Sequence, residues 1–153
     1  FRMPAAAKAL RAIAATRGEA YYRGEIAAAI VAQSRAQGGA HTLEDFAAHA
    51  PEWVDTLAQP YRGRVLHEIP PNGQGIAALM ALGICAHFDL AGLPVDGVAC
   101  QHLQIEAMKL AFADVYRHVA ERSAMRVTTT QMLDPAYLAE RAKLIDPKRA
   151  QDF

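Results

Sequence analysis

The residues in this sequence best suited to chemistry are three consecutive threonines, Thr128-Thr129-Thr130. A threonine hydroxyl is a weak nucleophile unless a base takes its proton, and one known arrangement uses the residue's own free N-terminal amine. The run is internal, so that activation requires chain cleavage directly before one of the three. Without cleavage it reads as an extended β-branched linker between two helices, and this is the favoured reading. Two acid–histidine pairs come next: His102 with Glu106 and Asp114 with His118, each four residues apart on a helix-like stretch. Such spacing puts both members of a pair on one helix face, where they could ligate a metal. At about 100° per residue the two pairs point about 120° apart, so they cannot share a site. Two ligands are too few for zinc, and local pairing is the better reading. His41, His49 and His67 show no ligand spacing. Gly73-Gln74-Gly75, with Ala78 three residues on, matches a G-x-G-x-x-G/A phosphate loop. The strand that should feed it, Val65 to Ile69, alternates in polarity, Pro70-Pro71 intervenes, and no second apolar strand follows. The turn is instead expected to bring backbone close to a neighbouring element, with Gly75 at positive φ or against that backbone. No Ser-His-Asp order, nucleophile elbow, Walker-type loop or Cys-x-x-Cys occurs. No catalytic, cofactor-binding or metal-binding residue is therefore assigned.

The elements around these residues are organised by one stretch, Ile69 to Leu90. Pro70-Pro71 forces extended backbone, and from Ile76 the sequence is apolar on every face. That predicts a buried helix too short to span a membrane, for which the rest of the chain must supply cover. Before it, helices are expected over Pro4 to Thr16 (Leu10, Ile13 and Ala14 inward), Glu25 to Gln37 (Ile26, Ile30 and Val31 inward) and Leu43 to His49, with Glu19 to Gly24 as a link. Thr42 and Asp45 have capping-box spacing. Trp53 to Ala58 and Arg64 to Ile69 read as strands joined through Gln59 to Gly63. After the buried helix, a long helix runs from Asp96 or Gly97 to about Glu121, with Ile105, Met108, Phe112, Val115 and Val119 as its inward seam. Met125 to Met132 reads as irregular, Asp134-Pro135 starts a last helix through Lys143, and Asp146-Pro147 starts a turn. The fold class is mainly α with one β-hairpin (α+β), over residues 1–153 as a single domain.

Sixteen Lys and Arg balance 16 Asp and Glu in the 153 residues, which gives no support for nucleic-acid or membrane-surface partners. Cys85 and Cys100 lie in apolar surroundings and are expected as buried free thiols, with a disulfide as the alternative. The chain starts at Phe1 with no initiator Met and shows no signal peptide, but a missing original N-terminus would hide one, so periplasm and cytoplasm both stay open. Both ends read as cuts within a longer protein.

Three stretches together resemble the γ-glutamyltransferase (γ-glutamyltranspeptidase) family. They are Phe1-Arg2-Met3-Pro4 through Tyr21-Tyr22-Arg23-Gly24-Glu25-Ile26-Ala27; Thr42-Leu43-Glu44-Asp45 with Pro60-Tyr61-Arg62-Gly63 and Pro70-Pro71-Asn72-Gly73-Gln74-Gly75; and Glu106 through Asp114. They occur in the family's order and spacing over essentially the whole chain. The resemblance implies part of an N-terminal-nucleophile hydrolase αββα fold, the later part of the large subunit. In such proteins a precursor cleaves itself. The new N-terminal threonine of the small subunit then attacks a γ-glutamyl amide such as that of glutathione. That threonine is expected beyond Phe153 and the substrate-binding arginine before Phe1, so none of the family's catalytic residues maps onto this chain. The implied partners are the remainder of the large subunit, the small subunit and a small γ-glutamyl substrate, with no cofactor. Where many transpeptidases carry Pro-Pro-x-Ser-Ser-Gly-Gly, this chain has Gly73-Gln74-Gly75-Ile76, a form commoner in related acylases and hydrolase-leaning members. The alternative is a non-catalytic helical interaction module, which the sequence following Phe153 would separate from the enzyme reading.

Overall fold

A computed structural model describes residues 2–152, which divide into two compact units, one running to Glu52 and the other starting at Trp53. The first unit is four helices. Helix α1 spans Pro4–Ala15 and starts with proline at its first position, where the missing N–H is no loss. Thr16 closes it by donating its hydroxyl to the Ala12 carbonyl at 2.8 Å, and Gly18 turns the chain at φ 99°. The expected link is a one-turn helix, α2 (Glu19–Tyr22), because Thr16 Oγ1 also accepts the Ala20 N–H at 2.9 Å. Helix α3 (Glu25–Ala36) buries Ala27 and Val31, with Ile26 and Ile30 half-buried. The expected inward face of α1 is not buried, and Leu10 is 66% exposed. Helix α1 packs chiefly on α2, which is too short to cover it. Helix α4 (Leu43–Ala48) has the expected capping box: Thr42 Oγ1 accepts from Asp45 N, and Asp45 accepts the Thr42 N–H at 2.7 Å. Tyr21 and Phe46 meet edge to face, and Tyr22 stacks on His49.

The second unit opens with a hairpin of β1 (Leu57–Tyr61) and β2 (Arg64–Glu68). The connection is two residues, not five. Arg62 (φ 48°) and Gly63 (φ 74°) are both positive, as a tight turn matched to strand twist requires. Gln59, Pro60 and Tyr61 therefore lie in β1, opposite Leu66, Val65 and Arg64. The expected strand start at Trp53 fails for a covalent reason. In this register residues 54 and 55 would face Pro71 and Pro70, which have no N–H to donate.

Helix α5 (Gly75–Cys85) has eight of its 11 residues buried, as its apolar sequence demands. It packs on α6 (Val98–His118), α8 (Pro135–Ala142) and both strands. The cover is thus within the unit, and the exposed large apolar side chains lie elsewhere, at Trp53, Val95, Val98 and Tyr116 among others. The buried face of α6 is Cys100, Leu103, Glu106, Ala107, Leu110, Ala111, Asp114 and Val115. The expected seam holds only at Val115; Ile105 and Met108 are exposed and Phe112 and Val119 half-buried. The apolar part of that face, Leu103, Ala107, Leu110, Ala111 and Val115, joins the core cluster around α5. Thr129–Met132, expected to be irregular, is a short helix, α7, begun by a capping box between Thr128 and Gln131. Asp134 caps α8 by accepting from Ala136 N and Tyr137 N, and a turn follows at Asp146 as expected. Cys85 and Cys100 are free and buried, and burial pushes the Cys85 thiol up to about 11.

Gly75 opens α5 without positive φ. Its constraint is space, and the neighbour is a side chain rather than backbone: a Cβ would lie 2.5 Å from Glu68 Oε2 and 3.0 Å from Glu68 Cβ. Gly83 is tighter still, since a Cβ there would run into Leu138 Cδ1 of α8 and stand 3.2 Å from Gln59 Nε2 of β1. Both Gly83 and Leu138 are buried, so neither can move into solvent. Gly83→Val is expected to destabilise by about 1–3 kcal/mol, the usual cost of overpacking, which exceeds the few tenths gained from helix propensity. Chemical denaturation checks this; unchanged stability would mean α8 does not pack on α5 at Gly83.

Candidate functional site

Two carboxylates, Glu106 and Asp114, are the buried charged groups among the described residues, and both stand on α6. Buried charge is costly unless paired and hydrogen-bonded, so their partners define what the site does. Asp114 Oδ2 accepts the Tyr137 hydroxyl at 2.9 Å, and Arg141 Nε lies 3.1 Å from the same oxygen. The Arg141 N–H does not line up with that oxygen, so the contact is an ion pair without a hydrogen bond. Arg141 Nη2 instead donates to the Leu110 carbonyl at 3.1 Å. Burial, then the Asp114 carboxylate, pushes the Tyr137 phenol up, which keeps it a neutral donor. Together these contacts pin α8 across α6.

Glu106 is paired differently. Oε1 takes Lys109 Nζ at 2.7 Å, and Oε2 takes the Gln151 N–H at 3.2 Å. Lys109 also donates to the Gln151 carbonyl, and Gln151 Nε2 donates to the Leu144 carbonyl. His102 Nε2 lies 2.8 Å from the Asp146 carbonyl. A carbonyl only accepts, so that nitrogen carries the proton. Burial works to raise the Glu106 carboxyl, but Lys109 and the Gln151 N–H outweigh it and hold it below its ordinary value.

Among the described residues neither acid–histidine pair is joined by a hydrogen bond, although His102 still acts on the Glu106 carboxylate through its charge. Glu106 serves Lys109 and Gln151, His102 serves Asp146, and Asp114 serves α8. Among the described residues no group of three or more His, Cys, Asp or Glu is placed to hold a metal ion. Thr128 spends its hydroxyl on the α7 cap, accepting from Gln131 N at 3.2 Å. Thr129 and Thr130 line a shallow surface pocket with Thr56, Leu57, Ala58, Leu133, Asp134 and Pro135. The carboxylate there, Asp134, already caps α8, so no base faces the threonines. The sheet described is a two-stranded antiparallel hairpin, so Gly73 to Gly75 lacks the parallel strands of a dinucleotide site. Sequence reasoning passed over the bonds to Tyr137, Arg141 and Gln151. Only Glu106 with Lys109, three apart, carried a local signal.

The fold is a portion of an N-terminal-nucleophile hydrolase. It superposes on a cephalosporin acylase from Bacillus halodurans with TM-score 0.78 and 47% identity, over 92% of this chain and 26% of that one. It also superposes on the γ-glutamyltranspeptidase of Pseudomonas nitroreducens with TM-score 0.78 and 28% identity, over 99% of this chain and 46% of that one. The family profile described as Gamma-glutamyltranspeptidase matches residues 1–153, and the chain belongs to that family. A glutathione hydrolase proenzyme of Pseudomonas aeruginosa is 31% identical over 150 residues, 96% of this chain and 27% of the relative. The chain spans about a quarter of the length of such curated relatives.

The depressed Glu106 carboxyl links stability to pH. A group whose folded pKa lies below its unfolded one stabilises above the unfolded value and loses that contribution as pH falls through the folded value. Glu106→Gln is expected to cost about 1–2 kcal/mol at neutral pH, the size of charge-assisted hydrogen bonds with one partly exposed partner. The difference from the unsubstituted protein should shrink as pH drops below the ordinary value of 4.5. Urea unfolding at a series of pH values checks this, and a pH-independent difference would contradict it.

Proposed function

We propose that the full-length protein containing this chain is an amide-cleaving enzyme acting on γ-glutamyl or related acyl amides, glutathione among them. Its nucleophile is an N-terminal threonine outside this chain, freed when the precursor cleaves itself. The observation that carries the reading is agreement in fold with an acylase at 47% identity and with a γ-glutamyltranspeptidase, under one family profile. The printed names of the relatives share amide chemistry: glutathione hydrolase, cephalosporin acylase and oxamate amidohydrolase. Ile76 and the Gly-Gln-Gly turn, in place of serines and a second glycine, favour hydrolysis over transfer to an acceptor amine.

In this reading the threonine Oγ adds to the amide carbonyl carbon while its proton passes to the threonine's own amine. The C–N bond then breaks, the departing amine takes that proton, and the acyl group remains as an ester. Water hydrolyses the ester to a free acid and restores the hydroxyl. This chain supplies no reacting group. Its packed helical units contribute surfaces for the remainder of the large subunit and for the small subunit.

Full-length protein should appear as two fragments on a denaturing gel and turn over a chromogenic γ-glutamyl or glutaryl amide. Residues 1–153 alone should show no turnover, and Thr128→Ala in the full-length protein should leave turnover unchanged. An uncut, inactive full-length protein, or loss of activity on Thr128→Ala, would overturn the reading.

A further inference from the structure

The segment after α8 is held in an unusual way. Its apolar anchoring stops at Ile145, which is buried, while residues 146–150 are exposed. Beyond that point the grip is polar and comes from one stripe of α6. His102, Glu106 and Lys109, spaced by four and three, lie on one helix face. His102 donates to the Asp146 carbonyl, Glu106 accepts the Gln151 N–H, and Lys109 donates to the Gln151 carbonyl. Gln151 folds back by donating its side-chain amide to the Leu144 carbonyl. Glu106 is only 1% exposed, yet its bonded cover on this side is the segment itself. A buried carboxylate is a poor choice for stability alone, because an apolar side chain of similar size packs there at no desolvation cost. A carboxylate does add direction: it fixes a backbone N–H at one point on a rigid helix.

We infer that Glu106 is a positioning residue for precursor self-cleavage, holding the segment from Asp146 to Gln151 on α6 so that the chain following it enters the cleavage site in a reactive pose. The inference rests on the enzyme reading above. Self-cleavage is intramolecular: the threonine hydroxyl adds to the carbonyl carbon of the peptide bond before it. The C–N bond breaks, the nitrogen takes the hydroxyl proton, and an ester forms. Water then splits the ester into a new C-terminal carboxylate and a threonine with free amine and hydroxyl. The rate of such a step depends on how far the approach of hydroxyl to carbonyl is restricted beforehand. A chain anchored at Gln151 explores far less volume than one anchored last at Ile145. The charged groups acting on the Glu106 carboxylate are Lys109 and His102, both from α6; the segment contributes the Gln151 N–H.

The test compares unsubstituted full-length precursor with Glu106→Gln and Gln151→Pro. The first removes the charge; the second keeps Glu106 and removes the Gln151 N–H together with its side-chain amide, while fixing φ there. Self-cleavage is followed by gel, and trypsin cutting after Lys148 and Arg149 is followed by mass spectrometry. Both variants are expected to melt cooperatively and to self-cleave at least about tenfold more slowly at neutral pH, the scale of lost orientation. Both should be cut by trypsin at those two positions at least about tenfold faster, since cutting tracks the open population. The rate ratio of unsubstituted protein to Glu106→Gln should approach one only as pH falls through the folded carboxyl's own value, which lies below 4.5. A role in stability alone would raise trypsin cutting at all sites alike, rather than selectively after Lys148 and Arg149, and would leave self-cleavage of the folded precursor unchanged. Unaltered self-cleavage in both variants would overturn the inference and leave the enzyme reading standing. An unsubstituted precursor that never cuts itself would remove both. Should Glu106→Gln fail to fold, Gln151→Pro decides.

Discussion

Helix α5 has no face fit for water, and the rest of the second unit is arranged to cover it. Isoleucine, leucine, methionine and alanine on every side leave no orientation in which it could lie at a surface. Three elements meet the demand: α6 along one side, α8 along another and the hairpin across a third. Each imposes a condition on sequence. Against α6 the contact requires an apolar face, supplied by Leu103, Ala107, Leu110, Ala111 and Val115. Against α8 it requires Gly83, since any side chain there would occupy the place of Leu138. Against β2 it requires Gly75, beside the Glu68 side chain.

The same helix pair carries the two buried acids, and they divide the work of fastening. Asp114 ties α8 to α6 through Tyr137 and Arg141, closing the cover over α5. Glu106 ties down the segment that follows α8. Acidic side chains in these positions give fixed directions that apolar packing lacks, and each is matched by a cation and by a neutral donor. That is why neither is available to a metal. What α6 contributes is therefore the placement of α8 and of the segment that follows it.

Much of this was legible in sequence wherever the controlling interaction is local. Helix α5 follows from its own composition, the Thr42–Asp45 box from spacing, and the start of α8 from Asp134-Pro135. The family followed from ordered motifs rather than from any single one. What could not be read was decided by contacts distant in sequence. The inward face of α6 is set by tertiary packing, which buries Leu103, Ala107, Leu110 and Ala111 and leaves Ile105 and Met108 exposed. The hairpin register turned on Arg62 accepting a positive φ, and Trp53 lost its strand to two prolines on the opposite side. Thr128 reads as linker in isolation, and only its pairing with Gln131 makes it a helix cap. The bonds of Glu106 to Gln151 and of Asp114 to Tyr137 and Arg141 join residues 45, 23 and 27 positions apart, and no periodicity announces them.

Amide hydrogen exchange across the whole chain tests the central claim most directly, because protection reports which segments open only when the entire unit does. If burial of α5 holds the second unit together, amides of residues 79–85 should exchange last, at a rate set by global unfolding. Those of residues 107–115 should exchange with them, and those of α1 far sooner. Exchange in α5 as fast as in α1 would contradict the account, since it would mean that the unit stays folded while the helix it is built around opens.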